Sequence, residues 1–344
     1  MKNGHWHMKR LSTYSAKNRI VMLYAVGVIF LLTALVFGVL CGSTSLTVHD
    51  LAAVFTPGFA HSTAGRILLL VRLPRTAAAV LCGAALAVSG AVLQAVLANR
   101  LASPGIIGVN AGAGLGVTAC TALGLYGGWV HSGFAFLGAF GTVCFVSFLS
   151  RKWRASRSTV ILLGVAINSL LSAFSESIVT FIPEVGVLSH DFKIGDFSSV
   201  TTEKLIPSGV LIAFAVMILF LLSNELDVIT LGEEQALSLG MNAVKMRTVF
   251  LILAALLAGC AVSVAGLLSF AGLMIPNLLR RLVCGRADRL LGLCLLYGGA
   301  FVCLCDTAAR TLFAPYEIPV GIIMAFLGAP FFVFVLIKEK GVCV

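Results

Sequence analysis

Long apolar blocks alternate with short polar stretches along most of this chain. A helix needs about 20 mostly apolar residues to span a bilayer, and hydropathy along the chain identifies such segments. The pattern predicts ten spans, at about 20–40, 76–98, 106–126, 129–150, 159–182, 205–223, 247–266, 267–284, 290–312 and 319–337. The connections inside the third–fourth and seventh–eighth pairs are very short, which predicts tight hairpins or partly re-entrant helices surrounded by protein.

Composition supports the same interpretation. Of the 344 residues, 59% are hydrophobic and 11% are charged, whereas soluble domains are roughly 45–50% apolar and 25% charged. We therefore predict an all-α polytopic membrane protein, with a basic tail over 1–19, one transmembrane domain over 20–338 and a short end over 339–344. The first apolar run has 21 residues and bulky Leu40 precedes Cys41, so it is predicted to be an uncleaved span rather than a signal peptide.

The charge distribution predicts the orientation. With the N-terminus inside, 18 of the 24 Lys and Arg residues fall on the inner side and six on the outer side. Basic residues concentrate in cytoplasmic loops, so both termini are predicted to be cytoplasmic. Because topology explains most of the net charge of +10, nucleic-acid binding is not expected.

The sequence contains no motif for nucleotide hydrolysis or for a catalytic metal. No Lys follows a Gly, so the sequence contains no phosphate-binding loop of the G-x-x-x-x-G-K-[ST] type,. No span contains an H-E-x-x-H or aspartate-rich metal motif,. The ten cysteines lie mostly in apolar runs and are predicted to be small buried hydrophobes,. A membrane enzyme is therefore disfavoured.

Two acidic residues fall within predicted spans. Asp306 has Arg310 four residues later on the same helix face, which predicts a local ion pair,. Glu176 lies among serines, which indicates a polar stripe facing protein or a water-filled path. A proton-coupled carrier would need more such groups in both halves of the chain.

Glycines recur every four residues at Gly108, Gly112 and Gly116. Small residues at this spacing allow helix backbones to approach closely. The pattern fits tight packing within the chain or a seam between two copies.

Two polar stretches are candidates for contacts with partners. Arg72 and Arg75 flank a proline at the predicted outer end of the second span, and Arg310 is at the same level. They fit either interfacial snorkelling or an acidic partner protein. The inner loop over 224–247 carries the acidic cluster Glu225, Asp227, Glu233 and Glu234, and a short helix is predicted over 235–239. That loop fits docking of a soluble partner or an ordinary surface loop.

Five ordered motifs resemble one family. They are RLPRTAAAVLCGAALAVSGAVLQAVLANRLASPGIIGVNAGAGLG over 72–116, LGEEQALSLG over 231–240, GLLSFAGLMIPNLLRRL over 266–282, DTAAR over 306–310 and EIPVGIIMAFLGAPFF over 317–332. They are similar to the FecCD-type iron-chelate and vitamin B12 uptake permeases of ATP-binding-cassette (ABC) importers. The similarity covers about four-fifths of the chain.

The resemblance implies a type II ABC importer permease of ten helices in the bacterial inner, or plasma, membrane. It implies pairing with a second copy or a sister permease, two ABC ATPase subunits inside, and a substrate-binding protein outside. No cofactor is expected on this chain, since ATP belongs to the ATPase subunits. The cargo is expected to be a ferric siderophore, haem or cobalamin, with iron chelate favoured.

Particular residues follow from matching these motifs. The ATPase-coupling loop would use Leu231, Gly232, Glu233, Glu234, Gln235, Ala236, Leu239 and Gly240. The binding protein would meet Arg72, Arg75 and Arg310. The loop over 154–158, with Arg157 and Ser158, would form the inner gate, and the helices over 159–182 and 319–337 would line the path.

Three features depart from the family pattern. Asn99-Arg100 replaces the usual Asn-Pro, and Pro276-Asn277 replaces Pro-His. The segment HDFKIGDFSSV over 190–200 is more charged than its usual counterpart. We hypothesise that Phe192, Lys193, Asp196 and Phe197, together with Glu176, tune the outer mouth and path for a polar or charged chelate; an ordinary solvated loop is the alternative.

Overall fold

The computed structural model describes residues 4–42, 62–153, 155–283 and 286–339, with side chains over 18–42, 62–153, 155–283 and 286–334. Across these ranges the regular structure is helical throughout. In chain order the helices are α1 (Gly4–Leu40), α2 (Thr63–Val96, with a π-helical segment at Ile67–Arg72), α3 (Val109–Ala122), α4 (Gly128–Lys152), α5 (Arg157–Phe181), α6 (Pro183–Ile194), α7 (Thr202–Leu221), α8 (Ser223–Thr230), α9 (Glu233–Ser238), α10 (Ala243–Ala265), α11 (Ala271–Arg280), α12 (Ala287–Thr311) and α13 (Val320–Glu339).

Seven helices among the described residues are long and apolar enough to cross a membrane. They are α2, α4, α5, α7, α10, α12 and the 18–40 part of α1. Each of the ten predicted spans coincides mainly with one helix, but α3 has 14 residues and α11 has ten. At 1.5 Å per residue these two helices reach only about 21 and 15 Å, less than a hydrocarbon core of about 30 Å. The prediction of full-length third and eighth helices is therefore wrong, and the re-entrant interpretation fits them better.

The core lies where α2, α10 and α12 pack together. Most residues in their apolar windows are buried, whereas fewer than a third of the residues in those of α4, α5 and α7 are buried. Phe250, Leu257 and Leu291 are fully or almost fully buried in this core. The exposed helices present apolar side chains outward, as expected where lipid or a second membrane chain surrounds the protein.

Glycines allow pairs of helices to cross with their backbones in direct contact. A Cβ at Gly83 would meet the carbonyl of Gly298 on α12, and one at Gly112 would meet the carbonyl of Gly138 on α4. The repeat containing Gly112 and Gly116 therefore packs within the chain, which confirms the intramolecular interpretation. Small residues matter here because lipid offers helices no hydrophobic drive to associate.

Basic side chains separate between the two ends of the helix bundle. The Arg75 end, where α2 begins and α12 ends, carries Arg66, Arg72, Arg75, Lys193, Lys204 and Arg310. The Arg247 end, where α2 ends and α12 begins, carries Arg100, Arg151, Lys152, Arg157, Lys245, Arg247, Arg280, Arg281, Arg286 and Arg289. The structure thus groups the loops as the charge pattern predicts, while the side that each end faces stays a prediction.

Candidate docking surfaces and path residues

The predicted coupling loop forms a short helix held between two glycine turns. α9 covers Glu233–Ser238, close to the predicted helix over 235–239. Gly232 and Gly240 flank it with φ of 119° and 79°, a region that glycine adopts without steric cost,. These two turns let the chain leave α8, form one and a half turns of helix and enter α10 (from Ala243).

α9 and the residues that flank it present leucines and acids outward. Leu231, Leu237 and Leu239 are 57%, 70% and 65% exposed, whereas Ala236 is fully buried. The other five residues of the predicted set are partly or fully accessible: Gly232, Glu233, Glu234, Gln235 and Gly240. Leu237 was not among the predicted coupling residues, although a large apolar residue in a loop with an acidic cluster was the available signal. An exposed apolar patch with an acidic edge is typical of a protein-binding surface.

Charged side chains tie this loop to the helix bundle. Arg247 Nη2 lies 2.9 Å from Glu233 Oε1, and its Nη1 donates to the carbonyl of Ala155 at 3.2 Å. Arg157 Nη2 donates to the carbonyl of Ile229 on α8 at 2.9 Å. The segment before α5 and the α8–α9 loop are therefore one connected unit.

The predicted inner-gate residues divide between two settings. Arg157 belongs to the connection with α8, and Ser158 is exposed beside it. Arg154, in the same predicted gate loop, lies outside the described residues. Sequence reasoning missed the contact between Arg157 and Ile229 because 72 residues separate them.

A buried ion cluster lies at the Arg75 end. Arg75 Nε donates to Asp306 Oδ1 at 3.0 Å, and Nη1 donates to Glu317 Oε2 at 2.7 Å. Arg75 Nη2 is also 3.7 Å from Asp196 Oδ1. The predicted pair is confirmed, since Arg310 Nε lies 3.1 Å from Asp306 Oδ2. The cluster joins α2, α12, the α6–α7 turn and the segment before α13.

The three predicted docking arginines are all buried in the structure. Arg72, Arg75 and Arg310 are 3%, 4% and 3% exposed. Arg72 donates to the carbonyls of Val39 and Leu40 at the end of α1, and Arg310 donates to that of Gly38. Interfacial snorkelling is therefore wrong for these side chains, because their guanidiniums bond protein groups rather than reach solvent. Docking of a partner on them stays a prediction.

The polar stripe on α5 splits into a buried and an exposed part. Ser175 is buried and its hydroxyl bonds that of Thr118 at 2.9 Å. Glu176 has a 70% exposed side chain and lies 3.2 Å from Lys193 Nζ on α6. Ser169 and Ser172 continue the exposed face toward the middle of α5. Such a polar face is costly against lipid, so it fits a protein contact or a water-filled path.

The predicted outer-mouth residues do not form one group. Phe192 and Asp196 line a cavity of about 300 Å³ together with His131 and Lys204. Phe197 is fully buried in the core, so its prediction as a mouth residue is wrong. The Phe197 N–H donates to Asp196 Oδ1 at 2.8 Å, which closes a local turn just where the chain enters the core.

The two departures from the family motifs are in contact with each other. Asn277 Nδ2 donates to the carbonyl of Arg100 at 2.9 Å and to that of Leu273 at 2.9 Å. Asn99 Oδ1 accepts from the N–H of Leu101 at 2.8 Å, which closes a local turn. The two segments therefore form one hydrogen-bonded contact at the Arg247 end.

These features define the class as a multi-helix membrane protein. The chain belongs to the FecCD transport family, whose model matches residues 29–338.

Curated relatives cover most of the chain. It is 33% identical to the uncharacterised ABC transporter permease protein YvrB of Bacillus subtilis, over 96% of this chain and 98% of that one. It is 35% identical to the vitamin B12 import system permease protein BtuC of Yersinia pseudotuberculosis, over 79% and 82%. It is 34% identical to a probable iron chelatin transport system permease protein of Helicobacter pylori, over 80% and 84%.

A solved structure shares the fold. The match is to an inward-facing conformation of a protein described as a metal-chelate type ABC transporter, with a TM-score of 0.81 and 30% identity. It covers 92% of this chain and 99% of that chain.

Proposed function

We propose that this chain is the transmembrane permease subunit of an ABC importer. The observation that carries the proposal is the exposed apolar surface of α9 and its flanking leucines, edged by acids. Arg247 ties α9 to the helix bundle, and Arg157 ties the preceding helix α8 to it. A cytoplasmic ATPase needs such a surface in order to bind the permease and move its helices. The family and the relatives' names support this assignment.

The partners follow from this role. Two ABC ATPase subunits dock on the Arg247 end and supply ATP hydrolysis, while this chain binds no cofactor. A substrate-binding protein docks at the Arg75 end, and a second copy or a sister permease completes the channel. The exposed faces of α5 and α7 leave room for that second permease. The assembly lies in the plasma membrane, the inner membrane in a bacterium that has two.

The connected loops suggest how hydrolysis moves the channel. When the ATPases close, they move α9, and Glu233 pulls Arg247 on α10. The contact between Arg157 and Ile229 brings the start of α5 along. Because α5 carries the exposed polar face, its movement changes access between the two ends, a rocking motion of packed helices.

The proposed cargo is a metal chelate, with iron chelate favoured over cobalamin. Relatives are named for vitamin B12 and iron chelatin, and the solved neighbour for metal-chelate transport. The pair of Glu176 and Lys193 places one charge of each sign on the path face, which suits a polar chelate better than an apolar solute.

Uptake into proteoliposomes tests the proposal. The permease is reconstituted with its ATPase and binding protein, and accumulation of a ferric siderophore, haem and cobalamin is followed with ATP inside. The expected result is uphill uptake of one chelate that stops when the ATPase active site is inactivated. Uptake that survives this inactivation but collapses with an uncoupler would instead identify an ion-gradient-driven secondary carrier.

A further inference from the structure

Glu317 is the most exposed carboxylate around Arg75. Its side chain is 33% exposed, compared with 19% for Asp196 and 0% for Asp306. Its contact with Arg75 Nη1, at 2.7 Å, is the shortest ion-pair distance in the cluster. Asp306, by contrast, is shared between Arg75 and Arg310. Glu317 therefore covers the solvent side of a guanidinium that is otherwise buried.

The segment that carries Glu317 is irregular and exposed. All six residues over 312–317, between the ends of α12 and α13, are exposed. They include the large apolar side chains Leu312, Phe313 and Tyr316, at 64%, 57% and 79% exposure. A segment with few buried contacts moves at low free-energy cost compared with a packed helix. Glu317 can therefore leave Arg75 while α12 stays packed.

We propose that Glu317 is an internal substitute for a carboxylate of the outer binding protein, which docks by replacing Glu317 on Arg75. The inference rests on the proposed function, in which such a protein docks at the Arg75 end. Arg75 keeps Asp306 throughout the exchange, so no buried guanidinium loses its counter-ion, a loss that would be strongly destabilising. The partner therefore carries a carboxylate, which pairs well with a guanidinium, beside an apolar surface that covers the exposed side chains over 312–316.

Replacement of Glu317 also connects docking of the binding protein to the proposed substrate path. Glu317 lies three residues before the start of α13 at Val320. The N–H of Gly321 donates to the carbonyl of Gly195 at 3.2 Å, in the turn that carries Asp196. Displacing the segment therefore disturbs the start of α13 and the α6–α7 turn together.

The substitution Glu317→Gln tests the exchange. Binding of the isolated binding protein to the reconstituted permease–ATPase complex is measured for the natural chain and for this variant. Loss of a partly exposed internal ion pair is worth about 0.7–1 kcal/mol, which corresponds to about three- to fivefold in affinity. We expect tighter binding by that factor, because the partner no longer competes with an internal carboxylate.

Glu203→Gln is the matched control. Glu203 is an exposed acid at the same end and accepts a hydrogen bond from Trp129 Nε1 at 3.4 Å. Within the described residues it forms no ion pair with Arg75 or Arg310. The variant removes one negative charge at that end without freeing Arg75. The binding constant of this variant is expected to stay within twofold of that of the natural chain.

A second measurement follows the segment itself. A spin label at Tyr316→Cys is expected to change mobility when the binding protein is added. Unchanged or weaker binding by Glu317→Gln, or an unaffected label in a saturated complex, overturns the exchange while leaving docking intact. If the binding protein does not bind the natural complex at all, the proposed function itself fails.

Discussion

Leu237 provides the sharpest test of the coupling surface. Its side chain is 70% exposed, and its neighbour Ala236 is fully buried. Truncation by Leu237→Ala therefore removes surface without opening a cavity, so the thermal stability of the isolated permease should not change. Full burial of a leucine is worth about 1.5–3 kcal/mol, so burying the exposed part against an ATPase contributes about 1–2 kcal/mol.

That free energy corresponds to about five- to thirtyfold weaker association with the ATPase. The assay measures the affinity of the purified ATPase for the permease in nanodiscs, followed by ATP-driven uptake with limiting ATPase. Leu123→Ala is the matched control, because Leu123 is 68% exposed at the Arg75 end. If Leu237→Ala and Leu123→Ala give the same ATPase affinity, α9 is not the docking surface and the reasoning is refuted.

Three further predictions concern the helix bundle. Asp306→Asn leaves Arg75 with a weaker partner in a buried cluster and should lower the free energy of unfolding by about 3–5 kcal/mol, measured by thermal unfolding,. A variant as stable as the natural chain would show that the cluster contributes little to folding stability. Gly112→Ala places a methyl group against the Gly138 carbonyl on α4 and should reduce the yield of folded protein. Gly141→Ala is the control, because nothing lies within 4 Å of its added Cβ, and its yield should not fall. Size-exclusion chromatography measures the folded yield of both variants. Phe197→Ala should destabilise the protein by about 3–5 kcal/mol. It should leave the preference among chelates unchanged in competition uptake assays. A changed preference would show that Phe197 contacts the substrate.

Local features of the chain were enough to predict the helical class, the approximate segments and the short helix of the coupling loop. Membrane helices satisfy their own backbone hydrogen bonds, so each one is encoded by a contiguous apolar run. The ion pair of Asp306 and Arg310 was predictable for the same reason, since four residues along a helix bring the two side chains together,. Charge along the loops likewise predicted which loops share an end of the bundle.

Contacts between distant segments were decided only by the tertiary structure. The two hydrogen-bonded partners of Arg75 are 231 and 242 residues away, so the position of Arg75 in the sequence gave no sign that it is buried. The inward direction of Phe197 depends on one turn packed against the end of α10 at Ala265, where the N–H of Asp196 donates to the Ala265 carbonyl. Hydropathy predicts which segments are apolar, but only packing determines which face of each segment is covered and which charges meet.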